Sequence, residues 1–295
     1  MSVKGKIVTD MIRFFTSQKI LGPKIQDGTL RKNLVEPPWH CPDEYLNLPI
    51  HMRQFEMELL TPKAADNGEV VLQLHGGGYI AKIRNAYRDF AVRYSKIDQY
   101  RVLSVDYRVA PQHPYPAAFQ DALEAYRWLL YSGFSGDRII LAGDSAGGGL
   151  VLALAMYLRD QSMPLPKKLV MMSPWTDLTA SGPSYQENYE NDPLFGNTRE
   201  SMIYNGEYAG KQDPKLPYIS PLFGDFHGLP PMLFQVGSLE MLLSDSVLAA
   251  QKAKEAGCDV TLTVYQDMFH VFQLSMDKLA ESRAAWDEVA AFLGK

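Results

Sequence analysis

The sequence predicts an α/β fold, with a mostly parallel, twisted sheet flanked by helices and a small helical cap. From about residue 53 onward, short runs rich in Val, Ile and Leu alternate with longer stretches of helical periodicity. That is the pattern of stacked βαβ units. Apolar residues make up 46% of the chain and charged residues 21%, the composition of a globular protein with a large buried core. The length of 295 residues fits one such domain of up to ~250 residues plus an accessory element.

Residues 1–50 read as an amino-terminal cap segment. Met1 to Phe15 alternates polar and apolar residues and carries Asp10, which suits an amphipathic helix and breaks the apolar core a signal peptide needs. Pro37, Pro38, Pro42 and Pro49 then form a stiff tether. The main domain, 51–295, opens with candidate strands Phe55–Leu60 and Val70–Leu74, a helix Tyr87–Ile97 and a strand Val102–Val105. A helix over Ala117–Tyr131 places Phe119, Ala122, Leu123, Tyr126 and Leu130 on one face, with Pro116 opening it and Gly133 closing it. Strand Arg138–Leu141, helix Ala146–Arg159 and strand Leu169–Met172 follow. Residues 182–221, rich in Tyr, Asn and Pro, break the rhythm, and a long excursion of this kind in a compact domain reads as a second cap element. The chain closes with strand Met232–Val236, helix Asp245–Ala256 ended by Gly257, strand Val260–Val264 and helix Asp277–Phe292.

Several function classes drop out on composition. The net charge is -5 and no long block of either sign occurs, so nothing courts nucleic acid or an anionic membrane. The most apolar run, Gly149–Leu158, is far short of the ~20 residues of a membrane span. Cys41 and Cys258 are too few for a disulfide framework, and no Cys/His spacing of a metal site is present. The expectation is a cytoplasmic protein that uses neither metal nor cofactor.

Gly143-Asp144-Ser145-Ala146-Gly147 matches G-x-S-x-G between a predicted strand and a predicted helix, the context in which that motif carries a nucleophilic serine. The turn must project Oγ outward, and small residues two before and two after it avoid collision. The Ala146 amide lies at the helix N-terminus, where it can hold an oxyanion. Alone, such a match could be a glycine-rich helix start. His75-Gly76-Gly77-Gly78, after strand Val70–Leu74, supplies an independent signal, since it matches the loop that donates further oxyanion amides. Gly76 and Gly77 are the expected donors, Gly78 shapes the loop and His75 braces it.

In an order of Ser, acid, then His, the base must lie downstream of Ser145. Of the six histidines, only His227 and His270 do, and His227 precedes the strand whose loop should bear the acid. His270, six residues beyond Val264, is therefore the base. Glu240 and Asp245 are the carboxylates after strand Met232–Val236. Asp245 is placed to cap the next helix. Glu240 is thus assigned to orient His270.

These residues, with Asp106-Tyr107-Arg108-Val109-Ala110-Pro111-Gln112-His113-Pro114-Tyr115-Pro116-Ala117-Ala118 and Ser173-Pro174-Trp175-Thr176-Asp177, resemble the bacterial hormone-sensitive-lipase-like esterases from about residue 50 to the end. The resemblance implies an α/β-hydrolase core, a cap built from the amino terminus and a later insertion, no cofactor, and a preference for esters of short acyl chains. It also implies a small-molecule ester as partner, and a homodimer through the last strand and adjoining helix, as in several members. The chain departs from the family where Glu240-Met241 replaces the usual Asp, often followed by Pro, where Gln112 replaces Glu, and where Val271 replaces Gly after the base. The same residues could serve an amidase or peptidase. A binding module on this fold, as in plant hormone receptors without the catalytic His, is disfavoured by the complete set. Phe14, Phe15, Tyr79, Ile203 and Tyr204 are candidate pocket walls, though aromatic residues at helical spacing are more often packing.

Overall fold

In the computed structural model, which describes residues 2–15, 36–195 and 207–294, one eight-stranded sheet organises the chain. Its strands are β1 (Tyr45–His51), β2 (Glu56–Pro62), β3 (Val70–Leu74), β4 (Arg101–Asp106), β5 (Ile139–Asp144), β6 (Lys168–Met172), β7 (Met232–Gly237) and β8 (Val260–Tyr265), in the spatial order β1-β2-β4-β3-β5-β6-β7-β8. β1 with β2, and β2 with β4, run antiparallel; every other pair is parallel. Parallel strands need crossovers, and helices supply them. The described helices are α1 (Val3–Phe15), α2 (Asn85–Asp98), α3 (Ala117–Tyr131), α4 (Ala146–Asp160), the short α5 (Ser184–Glu187), α6 (Leu243–Glu255) and α7 (Ala280–Leu293).

All residues of β3, β5, β6 and β7 are buried, as strands covered on both faces must be. Alternation splits their side chains between two layers. Val70, Leu72 and Leu74 pack with Ala122 and Tyr126 of α3 and Leu150 and Leu154 of α4. Val71 and Val102 turn the other way, toward Phe90 of α2 and Trp286 of α7. Gly133 and Gly257, at φ +96° and +81°, follow α3 and α6 in the left-handed conformation that glycine adopts without strain.

The seven strands expected from sequence all form, with ends displaced by a few residues. One more was not foreseen. All of β1 but its last residue falls in the segment 1–50 read as a cap, so the sheet already begins at Tyr45. Pro49 discouraged a strand assignment, but β1 is an edge strand, where a residue without an N–H is tolerated. α1 forms as expected and sets Val8 and Ile12 against Met268, Phe269 and Phe272, while Ser2 Oγ donates to Glu281 of α7. The amino-terminal helix therefore packs beside the loop that follows β8.

Candidate active site

β5 enters the sheet's carboxyl edge and turns sharply into α4 at Ser145, whose φ of 51° and ψ of -123° lie outside the regions an L-residue prefers. Such a conformation costs on the order of 1–3 kcal/mol and persists only where the surroundings impose it. Here Ser145 N–H donates to Met172 O of β6, and Ser145 O accepts from Trp175 N–H and Gly149 N–H. A Cβ on Gly143 would fall 2.5 Å from Gly147 O, and one on Gly147 would fall 2.0 Å from Leu74 O. Both obstacles are backbone and cannot move aside, which is the physical content of the two glycines in the motif. Gly147→Ala is accordingly expected to lower stability by about 3 kcal/mol or more, read as a fall in the thermal unfolding midpoint; an unchanged midpoint would refute the contact.

The glycine loop after β3 corrects one expectation. Gly76 N–H points into the protein and donates to Asp144 Oδ1 (3.1 Å) and Tyr87 Oη (3.0 Å), so it is spent and does not serve an oxyanion. Nothing in the local sequence signalled this, because the acceptors come from α2 and from the residue before Ser145. The loop amides with no acceptor among the described residues are those of Gly77 and Gly78, at φ +110° and +63°. Ala146 occupies the first position of α4, where an amide has no intrahelical acceptor. His75 braces the loop: it is wholly buried, its Nδ1 donates to Gly76 O at 2.7 Å, and its ring stacks on Tyr107 at 4.1 Å. Burial holds its imidazole neutral, with the pKa lowered to about 4. Asp144, equally buried, has its carboxyl pushed up to about 7 by desolvation.

Glu240 and His270 stand at the carboxyl ends of β7 and β8. Glu240 is fully buried and its Oε2 lies 2.8 Å from His270 Nδ1, while Oε1 accepts from Ser173 Oγ (2.7 Å) and Gly237 N–H (2.5 Å). A carboxylate so held fixes Nδ1 as the protonated nitrogen and leaves Nε2 free to accept a proton. Ser145 Oγ and His270 Nε2 are not hydrogen-bonded to each other, a looseness common before substrate binds. Ser173, at φ 48°, also accepts from Val271 N–H at 3.2 Å, so one hydroxyl ties Glu240 to the residue after His270. Its role was not assigned from sequence, although it stands in the Ser173-Pro174-Trp175-Thr176-Asp177 string.

Asp245 differs from expectation. It lies in the first turn of α6, yet its carboxylate does not cap that helix: Oδ2 accepts from Thr176 N–H (2.7 Å) and Asp177 N–H (2.8 Å), fastening the loop after β6. Burial pushes its pKa up to about 8. It makes no contact with His270, whose acid partner is Glu240.

The model of a family described as alpha/beta hydrolase fold matches residues 71–274. An acetyl-hydrolase of Streptomyces hygroscopicus is 39% identical over 230 residues, covering 78% of this chain and 77% of its own. An esterase of Acinetobacter venetianus is 35% identical, with 76% and 74% covered. A crystal structure of an esterase from the bacterial hormone-sensitive lipase family superposes with a TM-score of 0.85 at 35% identity, over 99% of this chain and 98% of the other. The chain belongs to the bacterial hormone-sensitive-lipase family of α/β-hydrolases. It is a serine carboxylesterase by that membership.

Val271 holds φ 48° and ψ 44°, a left-handed conformation costly for a β-branched residue. Of the candidate pocket walls, Tyr79 is 1% exposed and stacks on Tyr208 at 3.6 Å, so it packs the interior. Phe14 projects from α1 and is 65% exposed. The Phe15 side chain, Ile203 and Tyr204 lie outside the described residues. An aromatic residue that sequence reasoning missed, Phe195, sets its ring 4.7 Å from that of His270. Among the described residues no helix is long and apolar enough to cross a membrane.

Proposed function

We propose that this member hydrolyses esters of short acyl chains through an acyl-enzyme on Ser145, with His270 as base and Glu240 as the acid that orients it. The observation that carries the reading is the buried His270–Glu240 pair, set at the same sheet edge as the strained Ser145 turn. Ser145 Oγ attacks the ester carbonyl as His270 Nε2 takes its proton. The tetrahedral oxyanion is held by the amides of Ala146, Gly77 and Gly78, in place of the Gly76 amide. Imidazolium then protonates the departing alcohol, and water repeats the sequence to free the acid. Glu240 is held in place throughout by Gly237 N–H and Ser173 Oγ.

The short-chain preference is supported by relatives named acetyl-hydrolase and, in Pseudomonas putida, ethyl acetate hydrolase, the latter 32% identical. α1, beside the loop after β8, and the 184–195 stretch, beside Glu240 and His270, serve as cap elements at this edge. A series of esters from acetate to laurate with a matching anilide tests the reading. Turnover is expected to fall from butyrate to laurate, with the anilide cleaved far more slowly. Laurate as the best substrate would remove the chain-length claim, preference for the anilide would make the chain an amidase, and binding without turnover would make it a receptor.

A further inference from the structure

The described start of the insertion after β6 bonds to the loop that carries Glu240. Ser184, Asn188 and Asp192 recur every four residues along a helical stretch continued past α5 by the bonds Asn188 N–H to Ser184 O and Asp192 N–H to Asn188 O. Residues at this spacing share a face. That face grips the main chain of the loop carrying the acid. Ser184 Oγ donates to Met241 O (2.6 Å) and accepts from Ser244 N–H (2.8 Å), and Asn188 Nδ2 donates to Glu240 O (2.8 Å) and Ser238 O (3.0 Å).

Asp192 closes the arrangement. It is 1% exposed, and three main-chain amides donate to it: Met241 N–H to Oδ2 at 2.8 Å, and Leu194 and Phe195 N–H to Oδ1 at 2.8 and 3.0 Å. One carboxylate therefore fastens the residue after Glu240 to the backbone of Phe195, whose ring lies against His270. A buried carboxylate without a cation is retained only if amides satisfy it, and these amides belong to two segments that both touch the triad.

We propose that Asp192 is a positioning residue for ester hydrolysis: by joining the Met241 amide to the Phe195 amide, it holds Glu240 and His270 in register with Ser145. This rests on the triad reading above, and Ser145→Ala tests that reading separately. Asp192→Asn keeps the shape but leaves a single acceptor oxygen, so it can serve Met241 or the 194–195 amides but not both. Met241→Pro removes the N–H on the other side of the bond, together with the buried Met241 side chain and the freedom of φ there.

The experiment measures kcat and KM for a short-chain ester, and the rate at which a fluorophosphonate labels Ser145, in the wild type, both single variants and the double variant. Each single variant is expected to lose on the order of tenfold to a hundredfold in kcat and in labelling rate with KM little changed, as misplacement of a catalytic pair does. The double variant is expected to lose no more than the worse single one, because both delete the same bond. A purely structural Asp192 would lower the unfolding midpoint and leave the folded enzyme's kcat and labelling rate unchanged, which overturns the proposal. So would losses that multiply in the double variant. If Asp192→Asn does not accumulate folded, Met241→Pro decides alone: an unchanged kcat and labelling rate in it overturns the proposal.

Discussion

Ser145→Ala is expected to leave a folded protein whose ester turnover is lower by on the order of 10⁴ to 10⁶. Its Oγ has no hydrogen-bond partner among the described residues, and the turn is imposed by main-chain bonds to Met172, Trp175 and Gly149 that alanine keeps. Alanine also tolerates the positive φ of 51° no worse than serine. The unfolding midpoint should therefore stay within a few degrees of the wild type while turnover disappears. Near-normal activity in the purified variant would remove Ser145 as nucleophile. Loss of activity together with loss of the folded state would show that the hydroxyl holds the turn, which the hydrogen-bond pattern does not indicate.

The parts of this site that were legible in the sequence are those whose constraint shows in a short motif or in chain order. Gly143 and Gly147 bracket Ser145 because a Cβ on either strikes main chain, and that constraint is written in the motif itself. Chain order placed His270 and Glu240 because parallel strands deliver their loops to one edge of the sheet. What escaped depended on partners distant in sequence. The Gly76 amide is turned inward by Asp144 and Tyr87, so the choice of oxyanion donors within three glycines is made by tertiary packing. β1 was hidden by Pro49, whose cost vanishes only because the strand takes an outer edge. Asp245 sits where a helix dipole favours a carboxylate, yet its bonds go to Thr176 and Asp177, nearly seventy residues away.

That relocation of Asp245 sharpens the test of the acid. Glu240→Gln keeps the size of the side chain but presents an amide to His270, which favours the wrong tautomer and should lower turnover roughly 10⁴-fold. Asp245→Asn should leave turnover within a small factor and instead weaken the fastening of the loop after β6, by about 1–3 kcal/mol for a buried bond left imperfect. The pH dependence separates it further. Asp245 titrates at about 8 in the folded protein against 3.8 as the reference value, so the folded state keeps a proton that the unfolded chain releases. With more protons bound in the folded state, this group's contribution to stability is complete below pH ~4 and declines as pH rises through about 8. The asparagine variant lacks that decline, so its unfolding midpoint should approach or pass the wild type's near pH 9 and fall furthest below it under acid conditions. Activity lost in Asp245→Asn and kept in Glu240→Gln would move the acid to the other carboxylate. A stability deficit in Asp245→Asn that does not shrink with rising pH would show that Asp245 is ionised in the fold, its charge held by the Thr176 and Asp177 amides against the cost of burial.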